Sequence, residues 1–140
     1  MTWIGYAVMS AIAAALTAVF AKIGVEGVPS NLATAIRTVV ILVFAWAITL
    51  GLGEHRALST LSRRTLTFLV LSALATGVSW LAYYRALQLG PASRVAPIDK
   101  MSLPLTLIFA AIFLGETMTW RLMAGVALMT AGALITLEWQ

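Results

Sequence analysis

Of 140 residues, 61% are hydrophobic and 10% are charged, and the mean hydropathy is +0.98. Soluble domains carry about 25% charged residues, so this chain lacks the polar skin that a water-exposed fold needs. Nine Lys and Arg against five Asp and Glu give a net charge of +4; no basic run is long enough for a nucleic-acid patch, and the excess fits the Lys and Arg of cytoplasmic membrane loops.

Residues 1–21, 38–53, 65–84, 101–115 and 122–137 carry no charge. A helix needs roughly 20 apolar residues to cross a hydrocarbon core of ~30 Å. The shorter runs reach that length once their flanks are added, because terminal Lys and Arg snorkel to the interface. The expected fold is an all-α membrane protein, a bundle of five transmembrane helices joined by short loops. Its spans fall at about 3–21, 32–50, 65–89, 95–114 and 120–137. Residues 1–21 lack a basic n-region and a small-residue cleavage site, so they read as a first crossing and not as a signal peptide.

In the first span, Ala7, Ala11, Ala14, Ala15 and Ala18 recur at three- and four-residue spacings. Small residues on one face let helices approach closely in lipid. Lys22 to Asn31 is a turn broken by Gly24, Gly27 and Pro29, and Ser30 or Asn31 is placed to cap the second span. Arg37 lies about one and a half turns into that span. Three readings of it stand: it snorkels to the headgroups, it faces the bundle interior and meets an anion or a carboxylate, or it staples one helix to another.

Gly51 to Arg64 is the most polar stretch, and the single histidine, His55, reads there as a solvated loop residue with no second metal-ligand type near it. The third span ends at Gly90-Pro91. Gly77, Trp80 and Tyr84 share one of its faces, with Tyr83 beside them. They form either an interfacial aromatic belt or the aromatic wall of a cavity.

The stretch from Arg85 to Glu116, RALQLGPASRVAPIDKMSLPLTLIFAAIFLGE, combines charge and proline at the mouth of the fourth span. Pro97 and Pro104 flank Asp99 and Lys100. Proline removes a backbone donor and clashes with the preceding turn. Pro104 should therefore kink or locally open the span, a hinge with Pro97, and leave the Lys100 carbonyl without its amide donor. Asp99 and Ser102, three apart, should project together. Either this is a loop and helix cap, or Lys100, Asp99 and Ser102 line a polar pocket walled by Arg37, Trp80 and Tyr84. The second reading leans toward anionic or zwitterionic solutes, since Arg37 and Lys100 outnumber Asp99. In the last span, Ala124 with Ala131 and Gly125 with Gly132 repeat at seven residues as a packing stripe.

The stretches FAKIGVEGVPSNLATAIRT (20–38), AYYRALQLGPASRVAPIDKMS (82–102) and IFAAIFLGETMTWRLMAGVALMTAGALI (108–135) resemble the EamA family of the drug/metabolite transporter superfamily, in its short bacterial form with a single module. The resemblance covers essentially the whole chain. It implies a multi-pass protein of the bacterial cytoplasmic membrane, bound to no cofactor, that moves a small polar metabolite by alternating access. Typical larger members carry two modules in inverted orientation. This chain holds one, so two copies inserted antiparallel would recreate the inverted repeat, whose site lies at the interface of its halves. Loop charge is nearly balanced: Arg56, Arg63, Arg64 and Arg121 on one side, Lys22, Arg85 and Arg94 on the other. Such weak bias permits dual topology. Small multidrug exporters of the superfamily use a carboxylate within their first helix; here the first span has none.

A membrane subunit or scaffold that packs through its Ala and Gly stripes is the alternative. Enzyme chemistry fares poorly. There is no Cys and hence no thiol catalysis or thiolate metal site, and Ser102 has no histidine partner within its span.

Overall fold

The computed structural model describes residues 2–136, all of whose regular structure is helical. The chain divides into two compact units, Met1–Leu89 and Gly90–Gln140.

The first unit holds α1 (Trp3–Gly24), α2 (Ser30–Gly51) and α3 (Arg63–Leu89). All three are long and apolar enough to cross a membrane; 22 residues rise about 33 Å. Their hydroxyls do not compete with the helix for solvent. Thr17, Thr34, Thr38, Thr49, Thr67 and Thr76 each donate back to the carbonyl four residues earlier, at 2.8–3.0 Å. This satisfies polar groups inside the segment, as a helix in lipid requires. α3 packs against both α1 and α2. The buried positions are mostly small or turn-proximal: Ala18, Ala21, Val25, Ser30, Thr34, Tyr84 and Leu87. Large side chains such as Val39, Val40, Phe44 and Val78 point outward, where lipid tails receive them.

The expected Ser30 or Asn31 cap is not made. Pro29 is the N-cap of α2 and Ser30 is its first helical residue, buried, its carbonyl taken by the Thr34 hydroxyl. The polar stretch after α2 is more ordered than a simple loop. Gly53, at φ 73°, turns the chain into a 3₁₀ helix over Glu54–Thr60. Ser62 then caps α3 by accepting the Thr65 amide at 3.1 Å. His55, expected to be solvated, is half-buried in that 3₁₀ turn with Nδ1 enclosed.

The second unit holds α4 (Ala92–Asp99), α5 (Ser102–Phe109) and α6 (Trp120–Ile135). α4, α5 and a π-helical turn over Ala110–Leu114 together make a fourth stretch of 23 residues long and apolar enough to cross. The span expected at 95–114 is thus not one continuous helix. It breaks at Lys100–Met101, and Pro104 sits in the first turn of α5, a position where proline costs no hydrogen bond. The Lys100 carbonyl, expected to be orphaned, accepts the Leu103 amide at 3.0 Å. A tight turn at the break replaces the bond that proline removes.

The π turn closes on Gly115. Its φ of 68° lies in the left-handed region, and both its amide and that of Glu116 point to the Ala110 carbonyl. A Cβ at Gly115 would meet nothing within 4 Å, so only backbone conformation is at stake. Gly115→Ala is expected to destabilise by about 1 kcal/mol, read as a lower midpoint of thermal unfolding in detergent.

α6 starts at the Thr119 cap, whose Oγ1 accepts the Leu122 amide at 3.3 Å. It has 16 residues, a rise of about 24 Å, short of a full crossing. The expected fifth span, 120–137, ends on Leu137, which lies outside the described residues.

Candidate functional site

α2 and α3 run antiparallel through the Gly51–Arg63 connection and pack closely. Arg37 lies seven residues into α2 and Trp80 nine residues before the end of α3. At 1.5 Å per residue both stand about 10–14 Å inside the same end of the unit. There the Arg37 guanidinium lies 3.3 Å from the centroid of the Trp80 ring and 5.8 Å from that of Tyr84. Trp80 in turn meets Tyr83 and Tyr84 edge-on, with centroids 5.6 and 5.9 Å apart. The tilts of 81° and 60° set positive ring edges against negative faces.

This arrangement weighs against the first of the three readings of Arg37 and leaves the other two, since a guanidinium stacked on α3 also staples α2 to it. A snorkelling arginine would extend along its helix toward the headgroups. Arg37 instead turns sideways onto α3, half-buried against aromatic faces. Cation–π contact is worth about 2 kcal/mol or more where water is excluded. Among the described residues no carboxylate pairs with it.

Arg37 also lines a cavity of about 420 Å³ between the three helices of this unit. Thr17, Phe20, Ala21 and Gly24 contribute from α1, Ala33 and Ile36 from α2, Tyr84 from α3, and Val28 from the α1–α2 turn. Small residues on α1 open this space: Gly24 and Ala21 stand where larger side chains would fill it.

One end of the unit is tied by polar contacts that sequence reasoning missed. Lys22, in the last turn of α1, donates from Nζ to the Leu87 carbonyl of α3 at 2.7 Å. Gln88 donates from Nε2 to the carbonyls of Val25, at 3.3 Å, and Val28. Its Oε1 accepts from Arg85 Nη1 at 3.0 Å. These carbonyls belong to helix ends and a turn, where the backbone ladder runs out; the Val25 carbonyl keeps only a long bond from the Val28 amide, at 3.5 Å. The sequence signal was a long polar side chain two residues before the Gly90-Pro91 stop.

In the second unit, Lys100 Nζ lies 3.2 Å from Asp99 Oδ2. Adjacent residues within one helix diverge by about 100°; these two meet because α4 ends at Asp99 and Lys100 is its C-cap. Ser102 opens α5, and its carbonyl takes the Thr106 hydroxyl at 2.9 Å. Among the described residues no hydrogen bond joins Asp99 to Ser102. Arg37, Trp80 and Tyr84 are therefore one cluster within the first unit, and Asp99, Lys100 and Ser102 are neighbours at the helix break of the second.

A second cavity, about 640 Å³, lies within the second unit between α5 with its π turn and α6. Pro104, Leu107, Ala111, Met123, Ala127 and Ala131 are among its lining residues, and it is almost wholly apolar.

Comparison with known proteins agrees with this architecture. Residues 1–138 match the EamA-like transporter family. A protein of a Sinorhizobium species described as an uncharacterized transporter is 52% identical over 134 residues, which span 96% of this chain and 95% of that protein. An uncharacterized protein of Methanocaldococcus jannaschii is 28% identical over 82 residues, 59% of this chain and 60% of that protein. No solved structure is a significant match.

Proposed function

Because this chain belongs to the EamA-like transporter family, a family of transporters and not of enzymes, we propose that it is a secondary transporter moving a small metabolite across the bacterial cytoplasmic membrane by alternating access. The observation that carries the reading is Arg37, a charge held inside a membrane-spanning segment, stacked on Trp80 and lining a cavity. Ionisable groups are expensive at that depth and mark substrate paths. Arg37, Trp80 and Tyr84 contact the solute in this reading. Lys100, with Asp99 and Ser102, forms a second polar station on its path, and the break between Pro97 and Pro104 is the hinge. Solute flux in proteoliposomes made from the purified protein tests the reading; no flux of any small metabolite above protein-free vesicles would overturn it.

The working unit in this proposal is an antiparallel homodimer. α6 counts as a fifth, shorter crossing, which places the two ends of the module on opposite sides. Two copies inserted in opposite senses then reproduce the inverted repeat that surrounds a transporter's central site. The near balance of loop charges supports it, as does the Sinorhizobium relative, whose length is that of one module. Native mass spectrometry in mild detergent is expected to show dimers. A cysteine introduced at Ser59, in a chain that has none of its own, is expected to be labelled from both faces of the membrane. Monomers alone, or labelling from one face only, would remove the antiparallel pair.

A further inference from the structure

We propose that the cavity between α1, α2 and α3 binds an organic monoanion with an apolar body, its anionic head on the edge of the Arg37 guanidinium. The inference deepens the transport reading and rests on it for what becomes of the bound anion. A separation of 3.3 Å between Cζ and the Trp80 centroid leaves room only for a flat stack. The five N–H donors of a guanidinium lie in its plane, so a flat stack turns them away from the ring. Among the described residues no carboxylate and no hydrogen-bond acceptor takes them. Donors left unmet inside a membrane segment cost several kcal/mol each. A carboxylate meets two of them at once in the forked geometry that arginine favours.

The same contacts exclude other ligands. A cation would find the Trp80 face already covered by Arg37 and would meet a like charge. A neutral solute would leave the charge unanswered. A polyanion would need more cations, and Arg37 is the single cationic residue lining the cavity among the described residues. The remaining walls ask for an apolar body: Phe20, Val28, Ile36 and Ala33. At about 420 Å³ the space lies within the ~300–1,000 Å³ typical of ligand clefts. Two sources offer this chemistry, a free organic acid and an anionic lipid headgroup with its upper acyl chain.

Equilibrium dialysis of radiolabelled benzoate, benzamide and benzylammonium against the full chain in phosphatidylcholine nanodiscs tests the proposal. Benzoate is expected to be retained at least tenfold more tightly than either analogue. Arg37→Gln is expected to abolish the difference, with Arg37→Lys in between. Equal retention of the three probes by the unsubstituted protein overturns the proposal whether or not any variant folds, and so does benzoate retention that Arg37→Gln leaves intact. Repeating the measurement with phosphatidylglycerol in the nanodiscs separates the sources: displacement of benzoate assigns the anion to a lipid headgroup, persistence assigns it to a free acid, and either supports an anion site. Benzoate binding without solute flux removes the transport reading and keeps the site. Flux without anion preference does the reverse.

Discussion

Solute flux in proteoliposomes is expected to fall at least tenfold in Arg37→Ala while the folded yield changes little. A hydrogen bond to a charged group contributes about 1.5–3 kcal/mol, which is roughly ten- to a hundredfold in an equilibrium. The folded state has less to lose. Arg37 touches neighbouring rings but no carboxylate among the described residues, so its removal orphans no buried charge. Arg37→Lys keeps the charge without the flat stack or the fork, and should recover only part of the flux. Lys100→Ala provides the companion test. Lys100 and Asp99 are 55% and 36% exposed, and pairs that open contribute only about 0–1 kcal/mol. Loss of flux in Lys100→Ala with unchanged thermal stability therefore points to contact with the solute. If both alanine variants transport as well as the parent, neither cation lies on the solute's path.

The sequence made the long helical stretches legible because lipid imposes one strong rule, a long apolar run, and all four long stretches lie within three residues of the expected ends. It made the aromatic cluster legible as well: Trp80 and Tyr84 fall at i and i+4 on one helix face, and Arg37 is the lone charge in its span. What it could not convey was how local bonding resolves a proline. Pro97 and Pro104 suggested a kink or a local opening with an orphaned carbonyl; the chain opens between them, but Leu103 supplies the amide. A break and a kink satisfy the same composition, and the choice depends on backbone turns that no side-chain pattern encodes. Hydrogen bonds between residues far apart in sequence were equally hidden. Lys22 and Leu87 are 65 residues apart, and nothing in either segment names the other.

That distant network sets the second large effect. Gln88→Leu is expected to lower the thermal midpoint in detergent by roughly 5 °C or more. Gln88 Nε2 serves two carbonyls, those of Val25 and Val28, and without it the Val25 carbonyl keeps only the Val28 amide at 3.5 Å. A buried acceptor left unmet costs about 1–3 kcal/mol. Leucine also takes away the acceptor for Arg85. Lys22→Met removes the donor to the Leu87 carbonyl and should lower the midpoint as well. Gln88→Glu sharpens the test, because a carboxylate keeps the acceptor for Arg85 but cannot donate to either carbonyl. If donation is what ties the α1–α2 turn to α3, Glu should be at least as damaging as Leu. A Glu variant as stable as the parent would mean that Gln88 acts through Arg85 alone and that the turn is held by packing around Val25 and Leu87.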